Sequence, residues 1–218
     1  MIDNDHISAD LHVRLERDFG AMHAKRYWSI FEEIRVQKGY ADYIGALQQF
    51  RIETECVARN GSRLIALSSF LIDYPFVERL LPRALDVVAY LNTVGRAVIL
   101  SDGEPIFQGR KIQRAGLWDA VSGRVLIYVH KEQMLDTVRR VYPAQHYVLV
   151  DDKLSILSAA KAKMRESLTT VFPLQGHYAL DPQIAATYPP ADITIERIAD
   201  LLRVNVEALL GHTETACS

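Results

Sequence analysis

The chain has 218 residues, 49% of them hydrophobic, and a formal net charge of −2. That length can bury a large core in one domain, or in a core with an inserted subdomain, and the near-neutral charge gives no electrostatic case for nucleic acid or an anionic membrane. No apolar run is long enough to span a bilayer and no signal peptide is apparent; the two cysteines, Cys56 and Cys217, fit no metal spacing, so the expected setting is reducing and cytoplasmic.

From about Ile7 to about Pro82 the pattern is helical. Leu11, Leu15 and Phe19 recur every four residues, and Gly20 marks a stop. Tyr27, Trp28, Phe31 and Ile34 form a second stripe, closed by Gly39; Tyr43, Ile44, Leu47 and Phe50 form a third. Asn60-Gly61-Ser62 signals a turn, and Leu64, Leu67 and Leu71, followed by Tyr74-Pro75-Phe76, make a fourth segment. At helical spacing these aromatics are expected to be core, with a pocket lining as the alternative.

The pattern changes near Pro82. A helix over residues 84–91 ends before Gly95, and Ala97-Val98-Ile99-Leu100 follows as a buried strand with Ser101-Asp102-Gly103 after it. Residues 106–115 are expected to be helical, with Gly116-Leu117-Trp118 as the exit. Residues 125–129 are a strand followed by His130-Lys131-Glu132, and 134–141 a helix stopped by Pro143. Tyr147-Val148-Leu149-Val150 is a short apolar run, as in a strand buried on both faces of a parallel sheet. It leads into Asp151-Asp152 and then a helix through Ile156, Leu157, Ala159 and Ala160. Thr169 to Phe172 is a short strand ended by Pro173, residues 176–190 are loop-rich, and Ile193 to Ile195 is a last strand or helix entry. Ile198, Leu201, Leu202 and Leu209 stripe a terminal helix. Strands alternating with helices imply parallel βαβ units, and such sheets gather ligands at the carboxyl ends of their strands.

Three of those ends carry polar groups: Ser101 with Asp102, Lys131, and Asp151 with Asp152. Adjacent carboxylates repel unless something positive compensates them, and a hard divalent cation does so. A hydroxyl, an ammonium and two carboxylates suit a phosphoryl group and its metal. The structural alternative is that Asp152 caps the next helix.

In this order of motifs the chain resembles the haloacid dehalogenase superfamily over most of its length. Val98-Ile99-Leu100-Ser101 looks like the second motif, Lys131 like the third-motif lysine, and Val148-Leu149-Val150-Asp151-Asp152 like the fourth motif. The resemblance implies a Rossmann-like α/β core with a parallel sheet, residues 83–218, and an N-terminal helical cap, residues 1–82. It implies phosphate-ester hydrolysis of a small phosphorylated metabolite with Mg²⁺. Ser101, Asp102 and Gly103 would bind substrate, Lys131 would steady the charged intermediate, Asp151 and Asp152 would hold Mg²⁺, and Asp152 would assist catalysis.

The first family motif, an apolar strand ending in Asp-x-Asp that supplies nucleophile and general acid/base, has no counterpart here. Asp3-Asn4-Asp5 is the only candidate, and two residues before it cannot form the strand. Met1-Ile2-Asp3 fits the start of the cap better. Ser155 stands where a further acid is common. The chain is therefore expected to begin just after the nucleophile and to be inactive as written; a non-catalytic, ligand- or protein-binding member is the second reading. A receiver-like domain fits less well, because a long helical segment precedes the first strand. Substrate identity and oligomeric state are not legible.

Overall fold

A computed structural model describes residues 1–54, 61–180 and 187–210. In chain order the elements are α1 (Asn4–Phe19), α2 (Ala21–Lys38), α3 (Tyr43–Thr54), α4 (Gly61–Asp73), α5 (Ala84–Val94), β1 (Ile99–Asp102), α6 (Pro105–Arg114), α7 (Leu117–Ala120), β2 (Val125–Tyr128), α8 (Leu135–Val141), β3 (Tyr147–Val150), α9 (Leu154–Met164), β4 (Leu168–Pro173), β5 (Ile193–Ile195) and α10 (Val206–Leu209). They pack as two compact units. One holds residues 2–80 and 98–131; the other holds Met1, 81–97 and the chain from Glu132 onward. No described helix is long and apolar enough to cross a membrane.

In the first unit, α1 to α4 bury the stripes that the periodicity marks. Leu11, Leu15, Tyr27, Ile30, Phe50 and Leu67 are wholly buried. Gly20 (φ 85°) separates α1 from α2, and Gly39 (φ 78°) closes α2 in the left-handed conformation, which glycine adopts without steric cost. Tyr27, Phe31, Phe50, Tyr74 and Phe76 are buried, as expected of core, whereas Phe19, Trp28 and Tyr43 are half-buried; Phe50 meets Phe19 and Tyr27 edge to face at 5.4 and 5.8 Å. The expected turn at Asn60-Gly61-Ser62 is only partly within the described residues. Gly61 opens α4 with Ser62 inside it, and Asn60 lies outside the described residues.

The same unit contains β1 and β2, paired in parallel with Ser101 opposite Ile127, and α6 and α7 supply the crossover. Three boundaries differ from expectation. Ala97 and Val98 precede the strand; Ser101 and Asp102 are its last two rungs instead of following it; and Val129 falls outside β2. Gly116 (φ 75°) does not end the helical region but starts a second short helix at Leu117.

The second unit is a parallel three-stranded sheet in the order β3-β4-β5. β4 has a neighbour on each side and is buried at all six positions. By contrast β1 and β2 are half-buried throughout, and β3 is half-buried except at exposed Val148. Val87, Val171, Ile195, Ile198, Leu201 and Leu209 form the core. The expected terminal helix is two pieces. Ile198–Arg203 is a 3-10 turn that buries Ile198 and Leu201, and Asn205 then caps the separate α10 through Glu207 N–H at 3.0 Å.

At the other end of β4 a carboxylate locks the sheet. Asp192 accepts Thr170 N–H and Oγ1–H, each at 2.8 Å, and Lys161 Nζ at 2.9 Å. Burial alone would raise this carboxyl; the bonds from Thr170 and Lys161 win and hold it below the ordinary aspartate range. Asp192→Ala should cost about 1–3 kcal/mol by stranding the buried Thr170 groups. The depressed carboxyl contributes stability above about pH 4, the unfolded value, and that contribution fades as pH falls through the lower native value. Urea unfolding at neutral pH and at successively lower pH should therefore show the gap between wild type and variant narrowing in acid. An unchanged gap would rule out the ionised lock.

Candidate functional site

β1 and β2 run parallel, so their carboxyl ends face one edge. Asp102, the last rung of β1, accepts Lys131 N–H through Oδ1 at 2.8 Å, and its carbonyl accepts Gln108 Nε2 at 3.0 Å. Gly103 N–H donates to Tyr128 O at 3.0 Å. Gly103 sits at φ 136°, and a Cβ there would lie 2.7 Å from Gln108 Cγ, so the tight turn requires glycine. Glu104 accepts Ile106 N–H and Phe107 N–H and caps α6. Ser101 Oγ reaches Asp102 O at 3.4 Å, the long limit of a hydrogen bond. Lys131 opens a short 3-10 turn and is only 9% exposed. The structure thus brings Ser101, Asp102, Gly103 and Lys131 together, a hydroxyl and a buried ammonium on adjacent strand ends, suited to an anion.

Asp151 and Asp152 belong to the other unit, at the carboxyl end of β3. Asp151 is 8% exposed; its N–H extends the ladder to Val171 O at 3.2 Å, and its Oδ1 accepts Lys153 N–H at 2.9 Å. Asp152 does not occupy the cap position of α9. That position is Lys153, which makes no side-chain cap bond; Asp151, not Asp152, bonds the Lys153 N–H.

The loop after β4, expected from the sequence, also reaches the acid pair, which the sequence did not suggest. Gly176 (φ 83°) lies so near Asp152 that a Cβ would stand 3.3 Å from Oδ2. The His177 and Tyr178 rings are 3.9 Å apart, and Lys153 Nζ lies 4.5 Å from the Tyr178 ring centre. The rule that flagged the other sites, polar residues just past a strand, also covers this loop.

Two adjacent carboxylates supply part of the oxygen set that a hard cation needs. Among the described residues no group of three His, Cys, Asp or Glu side chains is placed to hold a metal ion, so the pair alone does not complete a site. Asp3 is committed elsewhere. It caps α1 by accepting His6 N–H at 3.1 Å, and its other oxygen is 2.6 Å from His6 Nδ1.

No family model matches the chain, and no curated protein matches it. Among solved structures, the crystal structure of a protein assigned as a haloacid dehalogenase-like hydrolase, from Burkholderia xenovorans LB400, is similar to it. The two are 56% identical with a TM-score of 0.87, over 94% of this chain and 94% of that one. Identity at that level across nearly the whole of both chains, on a parallel α/β fold with acids and a lysine at its strand ends, settles the family: this chain belongs to the haloacid dehalogenase-like hydrolases.

Proposed function

We propose that the chain carries the substrate-binding machinery of a phosphatase-like hydrolase acting on a small phosphorylated metabolite. The observation that carries this reading is the strand-end pair in one unit: Ser101 on β1 and buried Lys131 just past β2, tied by the Asp102 to Lys131 N–H bond. In this reading Ser101 donates to a phosphoryl oxygen, and Asp102 and Gly103 shape the binding turn. The Lys131 ammonium steadies the charge that builds on the transferred group. In this reading residues 1–82 are the cap and 83–218 the core; among the described residues every named strand follows residue 82, while the compact units divide the chain otherwise, with β1 and β2 in the unit of residues 2–80. A cytoplasmic setting belongs to the same proposal.

Asp151 and Asp152 would hold Mg²⁺, with Asp152 assisting the chemistry, once further oxygen ligands join them. Residues 1–218 titrated with Mg²⁺ in a calorimeter should bind more weakly than about 1 mM, the weak end of protein Ca²⁺ sites, because Mg²⁺ on two carboxylates keeps most of its waters. Tight, stoichiometric binding would show that another carboxylate, such as Asp3 or Asp5, reaches the pair, and would end the incomplete-site reading.

The attacking carboxylate is a separate matter. Among the described residues no strand ends in Asp-x-Asp, and β1 and β3 each pair with one strand only within their own units. The function is tested by reading in frame upstream of Met1, expressing any longer version, and assaying a generic phosphate ester with Mg²⁺. Turnover that falls in Ser101→Ala and Lys131→Ala supports the reading. If no Asp-x-Asp is encoded upstream, the non-catalytic alternative takes its place.

A further inference from the structure

His130 holds its backbone at φ 59°, in the left-handed region, although it is not glycine; such residues concentrate where the surroundings impose the conformation. Its imidazole lies against the backbone of Gly39. A Cβ at Gly39 would sit 2.6 Å from His130 Cε1 and 3.0 Å from Nε2. Position 39 therefore needs glycine twice, for its φ of 78° and for the space the ring occupies.

The turn from Gly39 to Asp42 is pinned at its far end. Lys38 Nζ contacts Asp42 Oδ2 at 2.6 Å, and Asp42, 4% exposed, accepts Gly45 N–H at 2.7 Å. Lys38 also feels the charge of Glu104, the cap of α6. On the other side, Lys131 N–H is held by Asp102. The peptide joining His130 to Lys131 is thus gripped from both directions, by the ring on Gly39 and by the N–H on Asp102.

We propose that His130 is a positioning residue: wedged against Gly39, it sets the direction in which Lys131 leaves its turn, and so ties anion binding at Ser101 and Lys131 to the turn between α2 and α3. The proposal rests on the reading of Ser101 and Lys131 as an anion site.

Inorganic phosphate is the probe, titrated by calorimetry into residues 1–218 and into Gly39→Ala, His130→Gly, the double variant, His130→Asn and Lys131→Ala. Gly39→Ala should push the ring away and weaken phosphate about tenfold, the scale seen when groups that orient metal ligands are lost. His130→Gly relieves the backbone strain yet should weaken phosphate equally. The double variant should be no worse than His130→Gly, because both changes break one contact. His130→Asn, which tolerates the left-handed conformation but carries no ring to wedge against Gly39, should weaken phosphate as His130→Gly does; full affinity in it would overturn the wedge. If Gly39→Ala proves unstable, His130→Gly still decides. Phosphate affinity lost in Lys131→Ala but unchanged in His130→Gly, or additive losses in the double variant, would overturn the positioning role and leave the anion site standing. Absence of phosphate binding in the wild type, or binding indifferent to Lys131→Ala, would overturn both.

Discussion

Residues 1–218, assayed with a generic phosphate ester and Mg²⁺, should show no turnover above background. Phosphoryl transfer through a covalent intermediate needs an attacking carboxylate, and expulsion of the alcohol needs an acid to protonate it. The single Asp-x-Asp of the chain, Asp3-Asn4-Asp5, stands at no strand end: Asp3 is the cap of α1, with its carboxylate bonded to His6, and Asn4 and Asp5 lie in the first turn of the helix. Losing a nucleophile removes on the order of 10⁶ in kcat in enzymes where it has been tested, so the expected difference is not one of degree. A version that supplies a strand ending in Asp-x-Asp should turn over. Changing its first Asp to Asn should abolish the reaction, and Lys131→Ala should lower kcat by about 10²–10³, the usual loss for one preorganised group facing developing charge. Turnover by residues 1–218 would require a nucleophile elsewhere and would overturn the assignment of roles.

Much of this candidate site's placement is legible in the amino-acid sequence alone, because polar residues at parallel strand ends follow from local pattern. Apolar runs locate β1, β2 and β3, and the polar residues after them mark Ser101, Lys131 and Asp151. The boundaries are less legible. An apolar run says where burial is favoured, not where the ladder stops, and Ser101 and Asp102 are rungs opposite Ile127 and Tyr128. The terminal stripe misleads for a related reason. Ile198 and Leu201 are three apart, a spacing that a 3-10 turn buries as well as an α-helix does. What local pattern hides entirely is long-range: the Asp102 bond to Lys131 N–H spans 29 residues, and the seat of His130 on Gly39 joins a helix end to a strand end. Neither leaves a local trace, except that a glycine stands where a helix stops, which is too common to point to a partner.

The role of the aromatic residues before Pro82 can be decided by a stability measurement. Phe50→Ala should destabilise the protein by about 3–5 kcal/mol, read as a lower urea midpoint. Phe50 is wholly buried on α3, and its ring meets Phe19, Tyr27 and His23 in near-perpendicular pairs. Truncation would lose the transfer free energy of the ring, leave a cavity between packed helices, and remove edge-to-face contacts of about 0.5–1.5 kcal/mol each. Set against a typical domain stability of about 5–15 kcal/mol, that is a large share. Ile52, two residues along the same helix and 65% exposed, is the control; Ile52→Ala should change stability by no more than about 0.5 kcal/mol. Phe50→Leu, which keeps most of the volume, should fall between them. A pocket lining would behave differently, because its aromatic face is spare until a ligand covers it: truncation would leave the urea midpoint nearly in place and appear only in binding. A loss below about 1 kcal/mol in Phe50→Ala, near the average for any substitution, would therefore refute the core reading and make these rings candidates for substrate selection.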